Sequence, residues 1–311
     1  MKEKKIMQKS LSLTPNDRNL VRQLEMKLQL IRDRVASVAH RYHTACYLVG
    51  RPGTSKTFTV RAELERLEEP WAYQNARMTP MGLFGFLADH PEHVIVLDDI
   101  ASLFKNDQAM QILLAALDGD PGQPRIVRYK SKDKEQTINF TGTVIAISNV
   151  PLRCDPLARA LGSRIVFVEH EPTDDEIAAF IRYLSTEGYV DLTPDECLQV
   201  AEFVIEETRQ YDLRLDLRHL TKGWQDYRQV KHKRAKTSWE DLVRTSLLKL
   251  AREPAIPMSK AEDIEHQRRL VLELMERYPN ETQKQLAEWP RSKSLFYQRR
   301  KEVEATMPSA A

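Results

Sequence analysis

Apolar and polar positions change rhythm several times along this chain. From residue 14 to 42, Leu20, Leu24, Leu28 and Ile31 recur every three or four positions with charges between them, which predicts an amphipathic helix. A short apolar run, Ala45 to Val49, then ends in a glycine-containing turn, and Thr57 to Leu67 resumes helical spacing. Trp71 to Ala76 reads as a strand, Met81 to Ala88 as a helix, and His93 to Leu97 as a strand buried on both faces. Asp107 to Leu117 is helical and stops at Gly119-Asp120-Pro121-Gly122. Thr143 to Ile147 and Ile165 to Val168 are further buried strands. Strands that alternate with helices predict an α/β fold with a five-stranded parallel sheet covered by helices on both faces.

Beyond Pro172 strand signals stop, and helical periodicity runs to about Leu250. Glu253-Pro254-Ala255-Ile256-Pro257 reads as a linker. Four regions follow from this: an N-terminal helical segment, 1–42; an α/β core, 43–171; a helical region, 172–252; and a small helical domain, 258–311. Within the core, Pro124 to Lys130 and Gln136 to Phe140 alternate around a polar tip and predict a β-hairpin. In the last domain, helices are expected over Glu262 to Tyr278, Glu281 to Trp289 and Ser292 to Glu304, with Phe296 and Val303 turned inward.

Composition narrows the class. Of 311 residues, 41% are apolar, which suits a packed protein, and the net charge is only +2. Any attraction to nucleic acid must therefore come from local clusters rather than from the overall field. Cys46, Cys154 and Cys197 form no CxxC pair or metal spacing and are expected to be buried thiols in a reducing compartment. The basic start lacks the apolar run of a signal peptide, and no stretch is apolar enough to span a bilayer, so a cytoplasmic location is expected.

The chemistry concentrates at Gly50-Arg51-Pro52-Gly53-Thr54-Ser55-Lys56-Thr57, which resembles the phosphate-binding Walker A loop GxxxxGK[ST]. Ser55 stands where that pattern has Gly. Backbone N–H groups of such a loop and the start of the following helix cradle phosphate oxygens. A glycine-rich turn alone is the competing explanation. Val94 to Leu97 followed by Asp98-Asp99 resembles a Walker B strand, whose acids would reach the crevice at the strand's C-terminal end; a simple N-cap is the alternative there.

Together these residues resemble the AAA+ ATPases over positions 35 to about 250. The resemblance implies ATP and Mg²⁺ as ligands. Gly50, Pro52, Gly53, Thr54, Ser55, Lys56 and Thr57 would hold the nucleotide, and Thr57 and Asp98 the metal. Asp99 stands where the family has a water-polarising Glu, which leaves slow hydrolysis open. Asn149, after the strand at Thr143, is similar to sensor 1, with a turn residue before Pro151 as the alternative. Arg164, or else Arg159, resembles the arginine finger that reaches a neighbouring subunit; an ordinary surface arginine is the alternative. Arg218, or else Arg214, resembles sensor 2 of a helical lid, on a helix that Asp216 can cap. Asn75 could contact the Walker B acid. A homo-oligomer, ring or helical, is implied.

The 125–140 hairpin lies where one AAA+ branch, including MoxR-type ATPases, has its pre-sensor-1 hairpin. Arg125, Arg128, Tyr129, Lys130, Lys132 and Lys134 suit a nucleic-acid backbone and a stacked base, or simply a solvated edge. The C-terminal unit resembles a helix-turn-helix module, with Lys293, Tyr297, Gln298 and Arg299 as candidate DNA contacts; a protein-docking module is the alternative. The basic set Arg228, Lys231, Lys233, Arg234 and Lys236 is expected to face solvent. The expected function is an ATPase that remodels or loads on DNA. The alternatives are a MoxR-like chaperone with a protein client and a nucleotide-gated DNA-binding switch.

Overall fold

The structure, a computed structural model, describes residues 13–75, 78–99, 103, 106–130, 135–150, 156–252, 260–279, 281–289 and 292–306. Two compact units are present, Met1–Leu247 and Leu248–Ala311. The boundary falls inside a helix; the expected linker, residues 253–257, lies outside the described residues.

Helix α1, Pro15–Ala39, starts at a capping box in which the Thr14 hydroxyl accepts from the Asp17 N–H at 3.0 Å. Strand β1, Ala45–Val49, leads to α2, Lys56–Leu67. Then come β2, Trp71–Gln74; α3, Pro80–Asp89; β3, Val94–Asp98; and α4, Asp107–Leu117. The hairpin strands β4, Arg125–Lys130, and β5, Glu135–Phe140, precede β6, Thr143–Ser148. Helix α5, Pro156–Gly162, and β7, Val166–Glu169, end the α/β part.

Five strands form one all-parallel sheet in the order β2-β3-β6-β1-β7. Alternate residues serve opposite faces, as a doubly covered sheet requires. Cys46 and Leu48 of β1, Val94 and Val96 of β3, and Ile145 and Ile147 of β6 share one core. Ala45, Tyr47, Ile95, Leu97, Val144 and Ala146 share the other. The first core also takes Leu24, Leu28, Ile31 and Val35 of α1, so the N-terminal helix packs into the same core as the sheet.

The sheet order positions everything that follows. Because β6 lies between β1 and β3, the C-terminal ends of these strands stand side by side. They carry the Gly50 loop, Asn149 and the Asp98-Asp99 pair.

Helices alone follow: α6, Asp174–Ser185; α7, Pro194–Gln210; α8, Leu217–Lys231; and α9, Trp239–Arg252. Capping boxes at Thr173/Glu176 and Thr193/Glu196 start α6 and α7. In the basic set on and after α8, Arg228 pairs with Asp191 and Lys231 with Glu196, at 2.7 Å for the latter. Cys46 and Cys197 are free and buried, and burial pushes the Cys46 thiol up to about 12. Cys154 lies outside the described residues.

The second unit contains α10, Lys260–Arg277; α11, Thr282–Glu288; and α12, Lys293–Thr306. Val271, Leu274, Trp289, Phe296 and Val303 make its core, with the Trp289 and Phe296 ring centroids 5.6 Å apart. Among the described residues no helix is long and apolar enough to cross a membrane.

Candidate functional site

The loop from Gly50 to Thr57 is shaped by two glycines. A side chain at Gly50 would strike the His170 carbonyl; one at Gly53, where φ is +70°, would strike the Asp216 carboxylate. Leu217 N–H donates to the Gly53 carbonyl at 3.1 Å, which ties the start of α8 to the loop. Ser55 is also left-handed, at φ 69°, and makes no side-chain cap bond to α2. A β-carbon in that region costs about 1 kcal/mol, so the turn is held by its surroundings. Helix α2 follows directly, and its first N–H groups and positive dipole end face the loop.

The Lys56 side chain folds back into this turn. Its ammonium donates to the Gly50 carbonyl at 2.6 Å, the Arg51 carbonyl at 2.5 Å and Asn149 Oδ1 at 3.1 Å. Burial pushes the amine down to about 8, opposed by the nearby Glu171 and Asp98 carboxylates. Asn149 also donates from Nδ2 to Asp99 Oδ1 at 3.2 Å, so one amide bridges the lysine and the second acid. Asp99 itself has φ 55°, a left-handed turn immediately after β3. The Thr57 hydroxyl donates to Asp98 Oδ2 at 2.9 Å, and the Tyr73 hydroxyl donates to the same oxygen at 2.7 Å.

These groups surround a cavity of about 310 Å³ lined by Pro52 to Phe58, Asn75, Asp98, Asp99, Ile147, Asn149, Leu217, Arg218 and Thr221. Of the residues expected at a nucleotide site, only Gly50 turns away from the cavity, behind the loop against His170. Asp216 does cap α8, accepting from Arg218 N–H at 2.6 Å, and Arg218 reaches the cavity whereas Arg214 does not. Asn75 contacts the acidic pair only at one remove, since its Nδ2 donates to the Tyr73 hydroxyl at 3.2 Å. Arg164 and Arg159 do not line the cavity of their own chain. Arg164 donates from Nε to Asp118 Oδ1 at 3.0 Å and to the Ala160 carbonyl at 2.7 Å, while Arg159 is exposed on α5.

Several participants went unrecognised in the sequence. Tyr73 is one. Arg51 is another: its N–H donates to Glu171 at 2.9 Å and its guanidinium to Asp174 at 2.5 Å. His170 Nε2–H donates to the Thr54 carbonyl at 2.9 Å, and burial holds its pKa below the usual imidazole value. His170 and Glu171 directly follow β7, the parallel neighbour of β1, so the rule that ligands gather at the C-terminal ends of parallel strands pointed toward them. A second cavity of about 620 Å³ adjoins the first, sharing Ser55, Phe58, Leu217 and Thr221 with it, and has an apolar wall of Leu28, Phe180, Leu184, Leu220 and Trp224.

The chemistry available here is specific. N–H groups at a helix start, with one cation, suit a phosphate chain. One carboxylate beside one hydroxyl suits Mg²⁺, which takes few protein ligands and completes its shell with phosphate oxygens and water. Among the described residues no group of three His, Cys, Asp or Glu side chains is placed to hold a metal ion.

The expected nucleic-acid contacts need two corrections. In the β4–β5 hairpin Arg125 is buried. It donates to the Phe140 carbonyl at 3.3 Å and to the Gly142 carbonyl, and burial pushes its pKa down to about 10. Tyr129 packs its ring on Phe84 with centroids 5.7 Å apart. Arg128 and Lys130 remain exposed, and Lys132 and Lys134 lie outside the described residues. On α12, Lys293, Tyr297 and Gln298 are exposed, but Arg299 is buried, donating to Gln267 at 2.7 Å and Glu302 at 2.5 Å. No protein-family model matches the chain, and no curated protein matches it.

Proposed function

We propose that this protein is an ATPase of the AAA+ kind that couples the binding and hydrolysis of ATP to work on DNA. One observation carries the proposal: Lys56, Thr57, Asp98, Asp99 and Asn149, from three adjacent strand ends, converge on a single cavity. A phosphate chain on the loop would draw the Lys56 ammonium off the Gly50 and Arg51 carbonyls onto its β- and γ-oxygens. Thr57 and Asp98 would hold Mg²⁺, which neutralises charge on the phosphate oxygens when bound. Asp99 and Asn149 would orient the attacking water, with Asp99 as proton acceptor. The apolar cavity beside Phe58 offers room for the base. Arg218, on the first turn of α8, would report the phosphates to a helical lid formed by the region after Pro172.

Arg164, paired with Asp118 outside its own cavity, would exchange that partner for the γ-phosphate held by a neighbouring subunit in a homo-oligomer. The second unit would supply DNA contact through Lys293, Tyr297 and Gln298, on a helix-turn-helix-like module. A protein client in place of DNA would make the protein a MoxR-like remodeller. A nucleotide-gated switch with little hydrolysis is favoured by one observation: Asp99 is short and already engaged by Asn149.

Calorimetric titration with ATP and Mg²⁺, on the parent and on Lys56→Ala, tests the site. Binding that is lost in the variant is expected, and equal affinity would remove the assignment. ATPase turnover stimulated by duplex or single-stranded DNA, and suppressed steeply by salt, is expected for the DNA function. Turnover indifferent to DNA would favour the protein client.

A further inference from the structure

We propose that Tyr73 is a positioning residue for the metal carboxylate: its hydroxyl fixes the orientation of Asp98 and so sets the affinity of the site for a divalent cation. The proposal rests on the nucleotide site described above.

The geometry is that of a carboxylate held from two sides. Thr57 Oγ1 and Tyr73 OH both donate to Oδ2 of Asp98, at 2.9 and 2.7 Å. Asp98 Oδ1 receives no side-chain donor among the described residues, which leaves its lone pairs for water or a cation. A hydroxyl that donates its proton to a carboxylate still has lone pairs to offer a metal. Thr57, which lines the cavity, can therefore keep its bond to Asp98 and act as a ligand, whereas Tyr73 does not line it, accepts from Asn75 and serves only to orient the acid.

The phenol is itself held from two sides. Asn75 Nδ2 donates to its oxygen at 3.2 Å. The Arg61 guanidinium lies 5.3 Å from the Tyr73 ring centroid and 5.9 Å from that of Trp71, whose ring meets Tyr73 edge-on at 6.4 Å. Arg61 is four residues after Thr57, on the same face of α2. One helix face thus carries both the hydroxyl that touches Asp98 and the cation that holds the ring of the tyrosine touching Asp98. Partners of this kind, one step removed from the metal, commonly change metal affinity by 10–100-fold when deleted.

The test uses the full chain, a fluorescent ATP analogue and two metals. Affinity for the analogue is measured in EDTA, then as Mg²⁺ is titrated in, for the parent and Tyr73→Phe; Mn²⁺ binding is followed separately by electron paramagnetic resonance. The phenylalanine keeps the ring contacts and removes only the hydroxyl. Expected are metal-free affinities equal within about twofold and half-saturating Mg²⁺ and Mn²⁺ concentrations raised about tenfold in the variant. Asn75→Ala is expected to move the metal titration the same way by a smaller factor. An unchanged metal titration overturns the role of Tyr73 while leaving the nucleotide site intact. Weakened metal-free binding with no further effect of metal overturns it too, because the hydroxyl would then be supporting the loop as a whole. A parent that binds no analogue in either condition removes the nucleotide site and this proposal together.

Discussion

Replacing Lys56 by methionine should abolish phosphate binding without weakening the fold. The side chain keeps its length and loses its charge. Folding moves the Lys56 amine from an ordinary 10.5 to about 8, mainly through burial, so the folded chain holds the charge less well than the unfolded chain does, despite the Gly50, Arg51 and Asn149 acceptors. Allowing for screening by water in the open cavity, that disfavour amounts to about 1–2 kcal/mol. Below pH 8 methionine removes it but leaves the Gly50 and Arg51 carbonyls without their donor, a cost of about the same size, so the variant should melt close to the parental temperature. Between pH 8 and 10.5 the unfolded parent binds more protons than the folded parent, so parental stability rises with pH through this window. The parent should pull ahead of the variant there. Differential scanning calorimetry at pH 7, 9 and 10.5, alongside calorimetric titration with ATP and Mg²⁺, measures both halves. A variant that melts several degrees lower at pH 7 would refute the reasoning, because the ammonium would then be a structural strut for the turn.

Gly53→Ala should destabilise the first unit by about 2–4 kcal/mol, from left-handed strain and the collision with Asp216, and guanidinium titration checks it; a neutral result would mean that α8 yields freely. Asp99→Glu should raise single-turnover hydrolysis if the short acid limits water activation, and an unchanged rate would point to the switch. Lys293→Ala with Lys301→Ala, the latter another exposed cation of α12, should weaken DNA binding and flatten its salt dependence by about two charges, whereas Arg299→Gln should lower the melting temperature of the second unit, since that guanidinium is buried against Gln267 and Glu302. Equal DNA effects from all three positions would contradict the assignment of faces. Above pH 8 nucleotide affinity should fall about tenfold per pH unit, because the free lysine must regain its proton to bind phosphate; a flat profile in fluorescence titrations would argue against it.

The sheet was legible because strands buried on both faces have to be largely apolar, as Val94 to Leu97 and Val144 to Ile147 are. The loop and the acidic pair were legible because few residue types suit that turn and that strand end. The hairpin's inner face was not. In Arg125-Ile126-Val127-Arg128-Tyr129-Lys130 either parity of alternation turns one aliphatic residue and at least one cation inward, and the choice is made by the space beside Phe140 and Phe84. It went to Arg125, Val127 and Tyr129, leaving Ile126 more than half exposed. Arg299 is a different case: it stands at helical spacing between Phe296 and Val303, both expected to be inward, so its burial followed from the same periodicity. Tyr73 was hidden because a tyrosine on an edge strand reads as ordinary packing, and only the lateral pairing of β2 with β3 brings it to Asp98.

The turn that holds Lys56 is walled by backbone and side chain from far downstream: the His170 carbonyl behind Gly50 and the Asp216 carboxylate against Gly53. A growing chain therefore makes the loop long before it makes the walls. Until α8 has emerged and docked, the turn lacks the Leu217 N–H bond to the Gly53 carbonyl and the Asp216 wall beside it, and a nascent or truncated chain should present it as a pliable strand end. The loop of the proposed site would then take its final shape only after α8 has been synthesised.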